Sequence, residues 1–392
     1  MPLITNQKPS AMSYITDEEL QQLIEENKKI YTEHYDPEFV LNIIKEVLSI
    51  IDETYFRSRY IGFRNMPERN DPERPLIYAS NHSGMAFPWD AIIFGCGLLK
   101  KHNFDWSKTV RPLAAPMLSQ TSLMNPFLMS DVWKKTGCVD ATTLNFETMM
   151  QQSESNVLIY PEGVPGIGKG FNRRYQLQRF STSFLRMSIK YRTDVIPYAT
   201  INGEYINPYV YSIPWLNKLA NKVGIPFVPF GVIFFLLLLQ PWIFYAAWPA
   251  KLIFVMGERI KPYELANKSY EEMTREDYIA LRDKIHAAMQ EQFDKAVAMW
   301  GQEPFQMKEF WQRFKQNIKR FPYNMPFGWP LIFAEFERKW YRSTERPVQL
   351  KLGFLSTLRI LIMNPITIFY FVPVVGWIPI LIKGYWPKKK KK

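Results

Sequence analysis

One stretch of the chain combines residue types that could perform acid–base chemistry. Asn81-His82-Ser83-Gly84-Met85-Ala86-Phe87-Pro88-Trp89-Asp90 follows the apolar run 75–79, which predicts a buried strand, so His82 lies where a strand ends. A histidine there can act as a general base, and an aspartate can orient its imidazole. In a continuous helix, His82 and Asp90 would lie about 12 Å apart along the axis. Because Pro88 disfavours such a helix, we expect a loop that folds Asp90 back onto His82.

A second element begins eighty residues further on. The apolar run 156–160 predicts a strand that enters Pro161-Glu162-Gly163-Val164-Pro165-Gly166-Ile167-Gly168-Lys169-Gly170, followed by Arg173. Backbone N–H groups and a lysine favour phosphate, and the pyrophosphate of a CoA thioester is one such group. A P-loop would need Ser or Thr where Gly170 stands, which disfavours a nucleotide hydrolase. A turn with solvated basic residues remains the simpler alternative.

Together these elements resemble a known family. Asn81-His82 after a strand, Tyr160-Pro161-Glu162-Gly163 after a later strand, and Val195-Ile196-Pro197 entering another are similar to the blocks of the glycerolipid acyltransferase (PlsC-like) superfamily. The resemblance covers roughly residues 76–260. His-Ser-Gly followed by Pro-Trp-Asp is closer to the branch with monoacylglycerol and diacylglycerol acyltransferases and their bacterial relatives.

The resemblance implies a mechanism and roles for the site residues. His82 would take the proton of an acceptor hydroxyl as that oxygen attacks a thioester, and Asp90 would fix the imidazole. Glu162 and Gly163 would belong to the acceptor site, and backbone N–H groups near Gly84 or Gly163 are the candidates for the oxyanion site.

Two features depart from the family pattern. Seven residues separate His82 from Asp90, where four are usual. Val164-Pro165 stands where the enzymes that use a phosphorylated acceptor commonly have Thr-Arg. Lys169 or Arg173 would then bind the phosphate, or the acceptor would be a neutral alcohol.

The surrounding elements predict an α/β fold with a mostly parallel sheet flanked by helices. Thr16 caps a polar helix that runs to about residue 31, and Pro37 opens an apolar-striped helix. Strands alternate with helices up to residue 256, and a long helix follows from about Arg275 to Trp300. We divide the chain into an N-terminal helical segment (1–75), an acyltransferase core (76–300) and a C-terminal membrane-associating region (301–392).

The charge of the chain resides in the last of these regions. Residues 302–392 hold 17 Lys and Arg against 5 Asp and Glu, so they carry the whole net charge of +12. The charge-free run 360–382 is followed by Tyr385, Trp386 and five lysines, which is the order of a membrane anchor rather than a nucleic-acid-binding tail. Pro365, Pro373 and Pro379 make a re-entrant or in-plane segment as plausible as a span, and packing on the body is a further alternative. The run 224–250, also charge-free, predicts a lipid-facing or tunnel-forming insertion.

The remaining composition indicates the environment in which the protein works. Hydrophobic content of 47% and aromatic content of 16% favour contact with lipid. Cys96 and Cys138 form no CxxC pair, so neither a disulfide framework nor a zinc site is indicated. No secretory signal is recognisable, so we expect a membrane-associated protein whose catalytic domain faces the cytoplasm.

We expect no cofactor, with acyl-CoA or acyl carrier protein as co-substrate. The expected partners are a lipid acceptor and an anionic membrane surface. A hydrolase that uses water as acceptor and a non-catalytic membrane-binding protein are the alternatives.

Overall fold

A seven-stranded sheet organises the computed structural model, which describes residues 16–85, 87–116, 125–127, 129, 131–222 and 225–385. The strands lie in the order β1-β7-β6-β2-β5-β3-β4. β2 to β6 are parallel to one another, β7 is antiparallel to β6, and β1 is parallel to β7. The predicted mostly parallel α/β sheet is therefore confirmed. The strands are β1 Arg59–Ile61, β2 Ile77–Ser80, β3 Val110–Ala114, β4 Val139–Asp140, β5 Asn156–Ile159, β6 Val195–Ile201 and β7 Ile253–Met256.

Helices cover both faces of the sheet and form most of the chain beyond it. The α-helices are Asp17–Asn27, Pro37–Ile43, Ser49–Ile51, Trp89–Lys101, Val132–Lys135, Thr143–Met150, Val164–Ile167, Ser183–Tyr191, Pro214–Asn221, Val232–Leu239, Pro262–Leu265, Arg275–Trp300, Met307–Gln316, Trp329–Arg342, Phe354–Met363 and Trp377–Tyr385. The 3-10 helices are Lys28–Tyr31, Trp106–Lys108, Phe171–Arg173, Gly203–Ile206, Pro241–Tyr245, Ile318–Arg320, Pro326–Gly328 and Pro365–Phe371. π-Helical turns at Ile44–Leu48 and Asp52–Phe56 continue the helix that Pro37 opens.

The order of the central strands determines which loops meet. β2 lies between β5 and β6, with Ile77 in register with Val157 on one side and Val195 on the other. The three strands are parallel, so the segments that follow them leave the sheet at the same edge. Residues of β2 and β5 are buried throughout. The loop of His82 thus starts from a rigid position between the loops that follow β5 and β6.

The N-terminal and C-terminal regions share one hydrophobic core. Phe39 contacts the rings of Phe336 and Trp340 at 5.6 and 5.2 Å between centroids. The Asn42 side chain accepts a hydrogen bond from the backbone of Val348 at 2.7 Å. The region after residue 300 therefore packs against the N-terminal helices, and β1 adds a strand within the segment 1–75.

The C-terminal apolar segment is bent rather than straight. Helix Phe354–Met363 and the turn Pro365–Phe371 meet at an angle of 110°, at the first of the prolines noted in the sequence. The Asn364 side chain donates a hydrogen bond to Glu335 at 2.8 Å and so ties this corner to the body. Within the described residues, one helix alone nowhere has the length and apolarity to cross a membrane, whereas this bent pair meets both criteria together.

Candidate active site

His82 and Asp90 are in direct contact, although Asp90 follows His82 by eight positions along the chain. Helix Trp89–Lys101 begins just before Asp90, and a loop joins it to β2. Gly84 and Met85 in this loop have φ values of 114° and 54°, a left-handed conformation that reverses the chain. The Nδ1 atom of His82 lies 2.8 Å from Oδ2 of Asp90. The structure thus shows the folded-back loop that Pro88 led us to expect.

The carboxylate of Asp90 is fully buried and fixed by three partners. Besides the imidazole, Oδ2 accepts the backbone N–H of Ser83 at 2.9 Å, and Oδ1 accepts that of Ala91 at 2.8 Å. A carboxylate only accepts hydrogen bonds, so Nδ1 of His82 carries the proton and Nε2 keeps a free lone pair. The His82 side chain is 14% exposed, while that of Asp90 is 0% exposed. This geometry leaves Nε2 available as a base.

The position of the imidazole depends on neighbouring strands. Asn81 exchanges two hydrogen bonds with the backbone of Thr200 in β6, at 3.0 and 2.7 Å, and so fixes the end of β2. The ring of Tyr160, at the end of β5, stacks on the imidazole with centroids 4.2 Å apart. Asn81 and Tyr160 both belong to the sequence blocks described above, but the sequence assigned neither of them a role at the imidazole.

Glu162 lies beneath the loop of His82. Its Oε1 accepts the backbone N–H of His82 at 3.0 Å, and its Oε2 accepts that of Gln178 at 2.5 Å. Burial raises the pKa of the Glu162 carboxyl above its usual range, although Lys169 and these two hydrogen bonds counteract the rise. Glu162 therefore holds the backbone that carries His82. A direct contact of Glu162 with an acceptor remains a prediction.

Lys169 and Arg173, the two basic residues predicted to bind phosphate, occupy very different places. The Lys169 side chain is only 1% exposed, and its Nζ lies 2.9 Å from Oε1 of Glu204. Burial by itself lowers the pKa of Lys169, but the carboxylates of Glu204 and Glu162 outweigh it and raise the pKa overall. Arg173 is exposed, and its guanidinium lies 3.5 Å from the side chain of Gln178. The structure brings Lys169 into the site and leaves Arg173 at the surface.

Glu204 is the residue of this cluster that the sequence did not reveal. It lies in the turn after β6, next to β2, and its Oε2 is buried without a hydrogen-bond partner among the described residues. Its one local signal is that it follows the end of the buried strand β6 by three residues. Without the sheet order, this carboxylate could not be placed beside Lys169.

The two candidate oxyanion donors also differ. The Gly163 N–H donates to the carbonyl of Tyr160 at 2.8 Å and is thereby occupied. The Gly84 N–H has no partner among the described residues and belongs to the same loop as His82. Gly84 is therefore the better placed of the two to donate to a developing negative charge.

An apolar cavity of about 120 Å³ begins next to this loop. One side of helix Trp89–Lys101 lines it, and further walls come from the N-terminal helices, β3, helix Val132–Lys135 and Cys138. Both cysteines, Cys96 and Cys138, line the cavity, and burial raises the pKa of each thiol to about 12. Such thiols stay protonated and unreactive.

Comparison with known proteins places this site in a family. Residues 57–201 match the sequence model of the Acyltransferase family, and this range contains His82, Asp90, Glu162 and Lys169. Residues 57–201 are an acyltransferase domain of the glycerolipid acyltransferase (PlsC-like) superfamily. The resemblance noted from the three sequence blocks is thereby confirmed, and the acyltransferase domain includes β1 to β6 of the sheet.

Curated relatives of this chain come from mycobacteria. Uncharacterized proteins of Mycobacterium bovis and Mycobacterium tuberculosis are each 25% identical over 201 residues, and so is one of Mycobacterium leprae. The match covers 51% of this chain and 52%, 52% and 50% of the three relatives, respectively. The chain thus spans about half the length of the curated relatives it matches.

Proposed function

We propose that this protein is a membrane-associated O-acyltransferase. It would move a fatty acyl group from acyl-CoA or acyl carrier protein to a hydroxyl of a glycerolipid or another lipid alcohol. The observation that carries the proposal is the 2.8 Å contact between His82 and the buried Asp90 inside an acyltransferase-family domain. That contact leaves Nε2 of His82 without a hydrogen-bond partner among the described residues, and the side chain is 14% exposed, as a general base requires.

The chemistry proceeds without a covalent enzyme intermediate. Nε2 of His82 takes the acceptor's hydroxyl proton while the oxygen attacks the thioester carbonyl, because an alcohol is too weak an acid to be ionised beforehand. Asp90 stabilises the imidazolium that forms, and the Gly84 N–H donates to the oxyanion. As the C–S bond breaks, the imidazolium returns the proton to the departing thiolate. An ester and a free thiol result.

The apolar cavity provides a place for the acyl chain. Its walls begin at Phe87, Trp89 and Ala91, which lie on either side of Asp90 along the chain. A ligand tail buried there would gain about 0.8 kcal/mol per methylene group removed from water. We therefore assign the cavity to the acyl chain of the donor.

The charges around His82 favour a neutral hydroxyl acceptor over a phosphorylated one. Asp90, Glu162 and Glu204 place three buried carboxylates near the buried ammonium of Lys169. Lys169 is already paired with Glu204, so a phosphate group entering the cluster would meet excess negative charge.

Helix Val232–Leu239 and the C-terminal segment 354–382 are distant in sequence but form one exposed apolar surface. This surface supports membrane association. Trp377 donates its indole N–H to the carbonyls of Leu237 and Leu238 at 3.2 and 3.1 Å, and Val374 donates its backbone N–H to Leu239 at 2.8 Å. Exposed large apolar side chains cover both segments: Val232, Phe235, Leu236, Leu238, Leu239, Phe354, Leu355, Leu358, Ile362, Met363, Ile368, Phe369, Val374, Val375, Ile378 and Ile382. An exposed apolar area of this extent is typical of an interaction surface. We propose that this apolar surface inserts into the cytoplasmic leaflet of the membrane, with the acyltransferase domain in the cytoplasm.

Acyl transfer is tested with the purified protein, acyl-CoA and a panel of neutral and phosphorylated lipid alcohols. Mass spectrometry follows the ester product, and a thiol assay follows the release of CoA. We expect CoA release to require an acceptor and to fall by about 10²- to 10⁴-fold in His82→Ala. His34→Ala, which removes an exposed histidine elsewhere, should retain full activity.

Each contrary outcome has a distinct meaning. Release of CoA without any acceptor would mean that the protein is a hydrolase rather than a transferase. No release under any condition, with His82→Ala indistinguishable from wild type, would contradict both enzymatic functions and leave a non-catalytic membrane-binding protein.

A further inference from the structure

One peptide group in the loop of residues 82–90 is held from outside the loop. This group joins Gly84 to Met85, where the chain reverses. Its carbonyl accepts a hydrogen bond from the Asn207 side chain at 2.6 Å, and its N–H donates to the carbonyl of Ile167 at 3.2 Å. Asn207 follows β6 and Ile167 follows β5, so the segments on either side of β2 hold the reversal between them.

The conformation of this reversal needs such restraints. Met85 has a φ of 54°, which is unfavourable for a residue with a Cβ atom, and Gly84 next to it has a φ of 114°. A strained backbone persists only where the surrounding structure fixes it. Loss of the Asn207 hydrogen bond would let the peptide group rotate. The rotation would change the path of the chain between His82 and Asp90.

The turn that presents Asn207 is itself firmly placed. Asn207 is 2% exposed and directly follows the 3-10 helix Gly203–Ile206. Trp248 donates its backbone N–H to the last residue of that helix at 2.8 Å, which ties the turn to the segment before β7. The turn also touches the loop at a second point, because a Cβ atom on Gly203 would overlap Oγ of Ser83. The side chain of Asn207 therefore starts from a fixed backbone.

The hydrogen bonding of the Asn207 amide favours a role in the loop over a role in the stability of the turn. Its NH₂ group donates to Gly84, whereas its Oδ1 is buried without a partner among the described residues. An unmet buried acceptor lowers stability, and an apolar side chain of the same shape would avoid that loss. What the asparagine provides here is the donor to the loop.

We propose that Asn207 is a positioning residue, which keeps the carboxylate of Asp90 in contact with the imidazole of His82. It acts through the Gly84–Met85 peptide group and does not touch the reacting atoms. The consequence for catalysis rests on the proposed acyl transfer, whereas the restraint on the loop can be measured without turnover.

Steady-state kinetics of Asn207→Leu test the catalytic consequence. Leucine has nearly the same shape as asparagine but no donor. We expect kcat to fall by about 10- to 100-fold, because a misplaced base slows the chemical step, and KM to change by less than about threefold. A merely structural role would lower the unfolding temperature and leave kcat of the folded protein unchanged.

Asn324→Leu is the matched control. Asn324 is 0% exposed, its NH₂ group also donates to one backbone carbonyl, that of Asn317 at 3.3 Å, and its Oδ1 also has no partner in the described part of the chain. Both leucine variants should lose similar stability in calorimetry, and Asn324→Leu should retain the kcat of wild type. If Asn207→Leu does not fold, Asn207→Asp takes its place, since it keeps the shape and replaces the donor by an acceptor.

A double variant shows whether Asn207 acts through the catalytic pair. Once Asp90→Asn has broken the contact with His82, the loop has no carboxylate left to position. Asn207→Leu should then lower kcat by less than about threefold further, although it lowers that of wild type by about 10-fold or more. A full multiplication of the two losses would overturn the proposal.

Hydrogen exchange measured by mass spectrometry tests the restraint itself. The Met85 N–H, which donates to Ile167, should exchange at least about tenfold faster in Asn207→Leu and at the wild-type rate in Asn324→Leu. Unchanged exchange in Asn207→Leu would overturn the proposal, and so would a normal kcat of Asn207→Leu beside an active wild type. An inactive wild type with the expected exchange pattern would contradict acyl transfer and leave the restraint by Asn207 standing.

Discussion

At the scale of single residues, the site depends on how Asp90 distributes its hydrogen bonds. Oδ2 accepts from both the His82 imidazole and the Ser83 backbone, while Oδ1 accepts from Ala91. An asparagine has only one acceptor oxygen, so in either orientation its NH₂ group faces a backbone N–H. When that NH₂ group replaces Oδ2, it also favours the tautomer in which Nε2 of His82 carries the proton. Both effects follow from the loss of one acceptor.

Asp90→Asn is therefore expected to lower kcat by about 10²- to 10⁴-fold with a smaller change in KM, because the base has the wrong tautomer. Steady-state kinetics with acyl-CoA measure this, and thermal unfolding checks that the fold survives. Asp36→Asn is the control, since Asp36 only caps a helix and asparagine caps equally well. A normal kcat for Asp90→Asn would show that Asp90 has no role in catalysis.

The same residues illustrate what a sequence can reveal about a site. The loop that joins His82 to Asp90 was predictable because Pro88 acts locally. The pairing of Lys169 with Glu204 was not, because the two residues follow different strands, and strand order is a property of the whole sheet. Lys169 therefore looked like a phosphate ligand, whereas its ammonium is already occupied by a buried carboxylate.

At the scale of elements, local signals were sufficient to place the starts of individual helices. Capping boxes at Thr16 and Thr274 start the helices Asp17–Asn27 and Arg275–Trp300 where the sequence predicts them. The strand β6 begins at Val195, where the third sequence block enters a strand. The core shared by the N-terminal helices and the region after residue 300 was not predictable, since it depends on contacts across the whole chain.

Helix Trp89–Lys101, which carries Asp90, must approach β1 closely. A Cβ atom at Gly97 would lie 2.0 Å from the hydroxyl of Tyr60, which donates to the carbonyl of Ile93 at 2.6 Å. Tyr60 packs against several aromatic rings and cannot easily move. Gly97→Ala is therefore expected to lower the free energy of unfolding by about 1–3 kcal/mol.

Gly95, two residues earlier in the same helix, is the matched control. A Cβ atom there would contact nothing within 4 Å. Gly95→Ala should raise the free energy of unfolding by up to about 1 kcal/mol, because alanine is the better helix former. Denaturant unfolding followed by circular dichroism measures both variants. Equal stability of the two would contradict the close packing of this helix on β1.

At the scale of the whole molecule, the proposed membrane surface combines segments that lie more than a hundred residues apart. Leu355 is 90% exposed and Leu358 68% exposed, so neither contributes to the core. Burying an apolar side chain of this size in lipid is worth about 1.5–3 kcal/mol. Replacing both with glutamine is expected to weaken vesicle binding at least tenfold without lowering the unfolding temperature, as measured by flotation and calorimetry. Leu23→Gln, on the N-terminal helix, should leave vesicle binding unchanged.

The lysine terminus should contribute a second, electrostatic part of membrane binding. Residues 387–392 lie outside the described residues, so this expectation rests on the sequence, in which Lys388 to Lys392 follow Tyr385 and Trp386. Each lysine near an anionic leaflet contributes about 1 kcal/mol, and salt screens this attraction over about 10 Å at 0.1 M. Deleting residues 387–392 should therefore weaken binding to anionic vesicles strongly at low salt, weakly at high salt, and not at all to neutral vesicles. The glutamine variant should weaken binding under all three conditions, because apolar burial does not depend on lipid charge. Identical salt profiles for the two variants would contradict the division into an apolar and an electrostatic contribution.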